Sequence, residues 1–230
     1  MATLFIIATP IGNLEDITQR ALRLLGEVPV LACEDTRVTR RILERHAVPR
    51  PAKLIAYHEH NEEAAAPGIV KLLGQGLDVA LCTNAGYPGM SDPGYRAIAQ
   101  AIEAGHRVEV IPGACAIEPA LLASGLPVSS FTFKGFPPRR PGPRRRFLEA
   151  EREAPHSLVL YESPRRVGAL LADALAVLGD RRAAVCLELT KKFEAIHRGW
   201  LSELAAQFAT TEIRGEATIV IAGNHPKFIR

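Results

Sequence analysis

The sequence predicts an α/β protein of two domains, and three observations support this prediction. Short apolar segments alternate with helix-like segments through most of the 230 residues, and the first five of these strands are typical of a largely parallel sheet covered on both faces. The alternation pauses between residues 114 and 127, so we predict an N-terminal domain over 1–114 and a C-terminal domain over 115–230. The early strands end in polar, Gly- or Pro-bearing residues, as ligand-binding loops of open α/β sheets do.

Five short strands organise the predicted N-terminal domain. They are Thr3–Ala8, Val30–Cys33, Lys53–Ala56, Val79–Cys82 and Val108–Ile111. Apolar residues at helical spacing predict the helices between them: one capped by Asp16, a short basic one ending near Arg45, one over residues 63–73, and one over residues 95–104 capped by Asp92.

A second α/β run makes up the predicted C-terminal domain. Its strands are Phe131–Lys134, Ser157–Tyr161, Ala183–Leu187, Ala195–Trp200 and Ala217–Ala222. Helices are predicted over residues 167–178 and 203–209, and the Pro- and Arg-rich residues 137–146 are predicted to form a basic loop.

Composition indicates an ordinary soluble globular protein, since 47% of residues are hydrophobic and 23% are charged. No apolar run is long enough to span a bilayer, and the N-terminus lacks the basic flank of a signal peptide, so we expect a cytoplasmic protein without a membrane association. The four cysteines are far apart in the sequence, which favours reduced core thiols over disulfides or a zinc site.

The segment from Val79 to Gly94 carries the strongest local signal of a site. A buried strand is followed by three glycines and two prolines within residues 86–94, and then by a helix. Glycines let a backbone approach a ligand closely, and prolines hold a loop in one shape. We therefore predict a ligand-binding loop here, although a connection that merely needs several turns has the same composition.

Charged residues follow the second strand at Glu34, Asp35 and Arg37. Helix capping and surface ion pairing would explain them equally simply. Their position at the carboxyl end of a strand favours a carboxylate and a guanidinium that face a substrate, so we take them as candidates for the chemistry.

Three further candidates, His58, Glu59 and Asn61, follow the third strand. His58 and His60 would point the same way on a strand and invite a metal interpretation. No third ligand stands at a suitable spacing, so we predict a polar loop and no metal.

Arginines are concentrated in the predicted basic loop. Five of them fall within eight residues, at Arg139, Arg140, Arg144, Arg145 and Arg146, in a chain whose net charge is only +3. A solvated surface loop is the simple explanation. The guanidinium fork suits phosphate oxygens, so we predict instead that this loop contacts a polyanion such as RNA.

The common nucleotide and hydrolase motifs are missing. The sequence contains no G-x-G-x-x-G and no G-x-x-x-x-G-K-[ST], and Ser91 lacks the flanking glycines of a nucleophile elbow. A nicotinamide dehydrogenase, a P-loop ATPase and an α/β-hydrolase are therefore poorly supported.

Seven motifs, in order and spread over essentially the whole chain, resemble the tetrapyrrole methylase superfamily. They are ATPIGNLEDIT, CEDTRVTRRIL, YHEHNE, NAGYPGMSDPGY, IPGACA, YESPRR and LELTKKFE. The resemblance implies a class III methyltransferase, with S-adenosylmethionine (SAM) in a cleft between two α/β domains, and a homodimer. It also implies cofactor contacts at Pro10, Ala85, Gly86, Tyr87, Met90, Cys115, Ala116, Tyr161, Glu162, Leu189, Glu216 and Ala217.

The sequence departs from the superfamily pattern at four positions of these motifs, one of which is Ala114 in place of a proline. Asn84 and Tyr87 replace an aspartate and a threonine that are common in the central loop, and Cys115 replaces a serine. Many relatives also continue into a small C-terminal extension, whereas this sequence stops at Arg230, so it either lacks the extension or is a shortened form.

Three functions remain open on this basis. The first is methyl transfer from SAM to the ribose 2′-hydroxyl of a cytidine in small-subunit rRNA, within the 30S subunit. It is favoured by the arginines and by the EDTR and YHEHNE motifs. For it we assign Arg37 to an RNA phosphate and Asp35 or Glu59 to the hydroxyl proton. The second is C-methylation of a tetrapyrrole, and the third is SAM or RNA binding without catalysis, as Asn84 and Tyr87 suggest.

Overall fold

The computed structural model describes residues 2–211 and 214–230. The chain divides into two compact units, Met1–Cys115 and Ala116–Arg230. Each unit contains one five-stranded sheet with its own helices. Within the described residues, no helix is long and apolar enough to cross a membrane.

Unit 1 is built around a sheet whose strands all run parallel, in the order β3-β2-β4-β1-β5. Its strands are β1 (Thr3–Ile7), β2 (Val30–Cys33), β3 (Lys53–Ala56), β4 (Val79–Cys82) and β5 (Arg107–Ile111). The connecting helices are α1 (Gln19–Glu27), α2 (Thr36–Arg45), α3 (Glu62–Gly74) and α4 (Tyr95–Glu103).

The central strands of this sheet are buried on both faces. Two apolar clusters cover it: Leu81 packs with residues of α3 and α4, whereas Ala80 packs with residues of α1 and α2. Such burial explains why β2 and β4 read as continuous apolar runs and not as alternating ones. Cys33 and Cys82 are buried free thiols within these strands, as predicted.

Unit 2 is built around a mostly antiparallel sheet in the order β6-β7-β10-β8-β9; among its described residues, only β6 and β7 pair in parallel. Its strands are β6 (Phe131–Phe133), β7 (Ser157–Glu162), β8 (Arg182–Leu187), β9 (Ala195–Trp200) and β10 (Ala217–Ile221). Its helices are α5 (Ile117–Ser124), α6 (Pro141–Glu149), α7 (Val167–Leu178) and α8 (Leu201–Phe208).

Two helices of unit 2 differ from the sequence prediction. Helix α5 lies in the region where the alternation of predicted elements pauses. It was not predicted, because its eight residues are apolar on most sides and show no amphipathic stripe. Helix α6 occupies most of residues 137–146. The prediction of a basic loop over these residues was therefore wrong. Pro141 stands at the first position of α6, and prolines in a first helical turn do not interrupt a helix.

Two predicted helix caps were also wrong. Helix α1 is capped by Thr18, whose hydroxyl accepts from the Ala21 amide at 3.1 Å, and not by Asp16. The N-cap of α4 is Gly94 and not Asp92. Gly94 carries no side chain, and the Tyr57 hydroxyl accepts from the Ala97 amide of the first turn at 3.2 Å instead.

Candidate functional site

The carboxyl edge of the parallel sheet gathers the predicted site residues of unit 1. Because all five strands run the same way, the loops that follow them begin at one edge. Pro10 follows β1, Cys115 follows β5, and the central-loop residues Ala85, Gly86, Tyr87 and Met90 follow β4. The candidates Glu34, Asp35 and Arg37 follow β2, and His58, Glu59 and Asn61 follow β3.

Two of these loops are joined by backbone hydrogen bonds. Thr9 and Gly86 form an isolated antiparallel bridge, with the Thr9 amide 3.0 Å from the Gly86 carbonyl and the reverse pair at 2.9 Å. The Thr9 hydroxyl also donates to the Thr83 carbonyl at 3.0 Å. Gly86 has φ +73°, a conformation that a residue with a side chain rarely adopts. The bridge therefore holds the central loop in a shape that requires glycine.

Tyr87 connects the central loop to the loop after β5. Its hydroxyl accepts from the Gly113 amide at 2.8 Å. A Cβ at Gly113 would lie 2.9 Å from the Ala8 Cβ, so this loop packs closely against the end of β1. The phenol that replaces the family's threonine thus has a structural role, which no local pattern in the sequence indicated.

Glu34 and Asn84 are brought together although they are 50 residues apart. The Glu34 carboxylate accepts a hydrogen bond from the backbone amide of Asn84 at 3.0 Å. The side-chain oxygen of Asn84 is buried and has no hydrogen-bond partner among the described residues. A buried acceptor without a partner is costly in a native protein, and a ligand donor is one way to satisfy it.

Asp35 and Arg37 form a local, exposed pair. The Asp35 carboxylate caps α2 by accepting from the Arg37 amide at 2.8 Å, and it also accepts from the Arg37 guanidinium at 2.7 Å. These hydrogen bonds lower the pKa of Asp35 to about 2. A carboxylate with so low a pKa is a weak proton acceptor near neutral pH. The guanidinium is 85% exposed and can meet a ligand while Asp35 holds its inner edge.

The loop after β3 is ordered by its own side chains. The Asn61 side chain accepts from the His58 amide at 2.8 Å and donates to the Ala56 carbonyl at 3.0 Å, which makes it a scaffold for the turn. Nδ1 of His58 is buried without a hydrogen-bond partner among residues 2–211 and 214–230, whereas the Glu59 side chain is exposed. His58 and Glu59 thus remain the chemically available groups of this loop.

Metal binding has no support in the part of the chain that the structure describes. No group of three or more His, Cys, Asp and Glu side chains there could hold an ion. The His58 and His60 rings meet edge to face, with centroids 6.1 Å apart.

The predicted cofactor residues of unit 2 also share one sheet edge. Ala217 stands opposite Glu162 on one side and Leu187 on the other. Tyr161 lies beside Glu162, Leu189 follows just beyond β8, and Glu216 precedes β10. Ala116 is on none of these strands and is the N-cap of α5.

Glu188 holds this edge together. Its carboxylate accepts from the Glu216 amide at 2.8 Å and from the Lys191 ammonium at 2.9 Å. Glu188 and Thr190 have φ +49° and +67°. Non-glycine residues with such angles cost energy and cluster at ligand sites, so their position on both sides of Leu189 supports the predicted location.

The five arginines do not act as one patch. Arg144 is buried and its guanidinium contacts the equally buried Asp173 at 2.6 Å, so its predicted role as an RNA contact was wrong. Arg145 also reaches Asp173, at 2.7 Å, but is 60% exposed. Arg139, Arg140 and Arg146 are exposed and form no ion pair within the described residues.

The fold is that of a two-unit α/β protein, and the candidate site lies at the carboxyl edge of its parallel sheet. Comparison with known families gives a direct match: the sequence profile of the Tetrapyrrole (Corrin/Porphyrin) Methylases covers residues 3–205. The chain therefore belongs to the tetrapyrrole methylase family.

Curated relatives match almost the whole chain. "Ribosomal RNA small subunit methyltransferase I" of Halalkalibacterium halodurans is 44% identical over 98% of this chain and 77% of its own length. The protein of the same name from Micromonospora olivasterospora is 46% identical over 96% of this chain and 71% of its own. The one from Thermotoga maritima is 39% identical over 97% and 99%.

Solved structures show the same fold at low sequence identity. Uroporphyrin III C-methyl transferase from Thermus thermophilus aligns with a TM-score of 0.66 at 21% identity, over 96% of this chain and 97% of that one. A cobalt precorrin-4 methyltransferase aligns with a TM-score of 0.69 at 20% identity, over 96% and 94%. These likenesses establish the architecture and do not identify the substrate.

Proposed function

We propose that this protein is a SAM-dependent methyltransferase that methylates small-subunit rRNA, at the ribose 2′-hydroxyl of a cytidine. The observation that carries the proposal is its 39–46% identity, over 95–98% of the chain, to relatives named ribosomal RNA small subunit methyltransferase I. We also propose that it works in the cytoplasm and that it is a homodimer. Sedimentation velocity would test the oligomeric state.

The loops of unit 1 fit a cofactor of this kind. Gly86 and Gly113 expose backbone where a side chain would be strained or would clash. The buried Asn84 oxygen needs a donor, and SAM carries an ammonium and ribose hydroxyls that can supply one. Bound there, SAM would supply an activated methyl group on a sulfonium. The predicted contacts of unit 2 stay predictions from the family resemblance.

The chain's own residues would position the acceptor. An in-line transfer needs the reacting atoms about 3–3.5 Å apart in a near-attack pose, so orientation supplies much of the rate. The exposed Arg37 guanidinium would bind a phosphate next to the acceptor, and Asp35 would hold that guanidinium in place. Glu59 or His58 would orient the hydroxyl and receive its proton, because Asp35, with a pKa of about 2, does so poorly.

Methyl transfer from radiolabelled SAM to 30S subunits tests this proposal, with a tetrapyrrole as the alternative acceptor. Arg37→Ala and Glu59→Gln should keep SAM affinity, and at least one should lose methylation by roughly 10²- to 10⁴-fold, the range of a positioned acid or base. Asp35→Asn should lose less, since asparagine still caps a helix. Glu63→Gln, an exposed glutamate of α3, serves as the matched control.

Several results would count against the assignment. Wild-type turnover in all three variants would remove both loops from the mechanism. Label on a base carbon would refute 2′-O-methylation. Transfer to the tetrapyrrole but not to 30S subunits would favour the second function, and SAM binding without any transfer would favour the third.

A further inference from the structure

Phe136 is a large apolar side chain that the fold leaves 55% exposed, on the connection between β6 and α6. The connection is fixed on β7, because the Tyr161 amide donates to the Gly135 carbonyl at 3.0 Å and the Lys134 amide to the Val159 carbonyl at 3.1 Å. The Phe136 ring lies 5.6 Å from the Tyr161 ring, which is packed on its other neighbour, Phe133, at 4.8 Å. An exposed ring held in this way loses little entropy on binding a partner.

Two arginines that are not neutralised within the described residues follow this phenylalanine in the sequence. Arg139 and Arg140 follow within four residues; both are exposed, and neither forms an ion pair within the described residues. Helix α6 begins directly after them with Pro141 and Pro143, which have no N–H to donate. Gly142 alone among the first three helical residues has an N–H, so guanidinium groups would supply most of the donors to an anion here.

We propose that Phe136 stacks on an unpaired base of the RNA substrate while Arg139 and Arg140 bind the phosphates that flank it. The inference rests on the proposed function and adds a specificity site to it. Residues 136 and 140 are at most about 14 Å apart along an extended chain, a span of about two nucleotides. Side chains recognise RNA mainly where bases are unpaired and can stack on aromatic rings, since the major groove of an RNA duplex is too narrow for them.

Phe193 provides an internal comparison. It is also a phenylalanine of unit 2 and is 75% exposed, but the cation over its ring is the single ammonium of Lys192, at 5.6 Å. Neither Phe136 nor Phe193 is buried in the core, so core packing does not explain why either position is a phenylalanine. The arginine pair distinguishes Phe136, and charge complementarity to a nucleic acid is the reason to assign RNA to that ring.

The test measures the affinity of the full-length protein for a short single-stranded RNA and for its duplex, over a series of salt concentrations. Phe136→Ala should weaken single-strand binding by about 5- to 150-fold with an unchanged salt slope, because stacking releases no counterions. Phe136→Tyr should restore it. The double variant Arg139→Ala, Arg140→Ala should instead flatten the slope by about 0.7 for each phosphate that the variant no longer neutralises. Phe193→Ala should bind as wild type does.

Different results would overturn the proposal. One is an unchanged affinity for single-stranded RNA in both Phe136→Ala and Phe136→Leu. Another is a loss of affinity in Phe193→Ala as large as that in Phe136→Ala. A third is a loss of duplex affinity in Phe136→Ala as large as its loss of single-strand affinity. A changed oligomeric mass with unchanged RNA affinity would assign the ring to a protein interface instead. Methylation of 30S subunits by the wild type is scored separately, so the proposed function and this inference can fail independently.

Discussion

At the scale of single residues, the candidate site depends on positions where a side chain is excluded or strained. Gly86 has φ +73° and is bonded to Thr9 through both of its backbone polar groups. Gly113 leaves no room for a Cβ beside Ala8. The two glycines lie in loops that converge at one sheet edge, so the backbone itself forms part of the proposed cofactor surface.

Gly86→Val tests this view against a matched control. Valine in a left-handed conformation costs at least about 1–2 kcal/mol, and at position 86 it would add a side chain to the loop that we propose contacts the cofactor. Gly105 has a similar φ of +77°, lies in the turn before β5 with nothing within 4 Å, and is remote from the carboxyl edge. Both variants should lose comparable stability in urea unfolding, whereas calorimetry should show at least a tenfold loss of SAM affinity for Gly86→Val alone. Equal SAM affinity in the two variants would contradict the placement.

At the scale of elements, helix α4 is capped by a residue from another part of the chain. Tyr57 is fully buried after β3, and its hydroxyl accepts from Ala97 and donates to Glu62 at 3.4 Å. The same Glu62 carboxylate accepts from the Gly94 amide at 3.3 Å. These contacts tie the loop after β3 to the far end of the central loop.

Tyr57→Phe should therefore destabilise the protein by about 1–3 kcal/mol, because the Ala97 amide would be buried without an acceptor. Tyr95→Phe, at a hydroxyl on a side chain that is 74% exposed, is the control and should change little. Burial raises the pKa of Tyr57 from 10 to about 12. The wild type should then lose part of its advantage over Tyr57→Phe as the pH rises from 10 to 12, since the unfolded state releases the proton first. Urea unfolding at neutral and high pH measures both effects.

Helix α6 is held by a buried ion pair to α7. Burial disfavours the ionised form of Asp173, but hydrogen bonds from Arg145 and Arg144 outweigh it and hold the pKa of Asp173 below its usual range. Asp173 therefore neutralises the charge of Arg144 in the interior of the unit, whereas Arg139, Arg140 and Arg146 are exposed to solvent.

Arg144→Ala and Arg146→Ala should separate these two roles. Removing one partner of a buried pair typically costs 3–5 kcal/mol, and we expect about 3 kcal/mol for Arg144→Ala because Arg145 still reaches Asp173. Arg146→Ala should leave stability within about 0.5 kcal/mol but weaken RNA binding. Thermal unfolding and RNA titration check both variants, and a stable Arg144→Ala protein would show that α6 does not depend on the pair.

At the scale of the whole molecule, the two units present their candidate residues by different means. In unit 1 every strand is parallel, so five loops begin at one edge. In unit 2 most strands are antiparallel, and the candidate edge combines the ends of β7 and β8 with the start of β10. The family resemblance implied the cofactor contacts in both units, and within unit 2 all of them except Ala116 lie at this edge.

Sequence periodicity alone determined where most strands and helices lie. Strands β2, β3, β4 and β9 and helix α7 have the predicted bounds, because burial and backbone preference act over a few neighbouring residues. It also indicated the loops that carry the site, through Gly, Pro and charge at strand ends. Periodicity did not predict α5 and α6, because α5 is apolar on most sides and α6 begins with a Pro- and Arg-rich segment, so neither shows an apolar stripe at helical spacing.

Only the tertiary structure decided which groups distant in the sequence meet. Tyr57 with Ala97, Glu34 with Asn84, and Arg144 with Asp173 are separated by 40, 50 and 29 residues. No local pattern encodes such pairs, because each becomes favourable only after the sheet and its helices have placed the two groups at hydrogen-bonding distance. The same is true of Phe136, whose exposure depends on packing that the sequence around it does not specify.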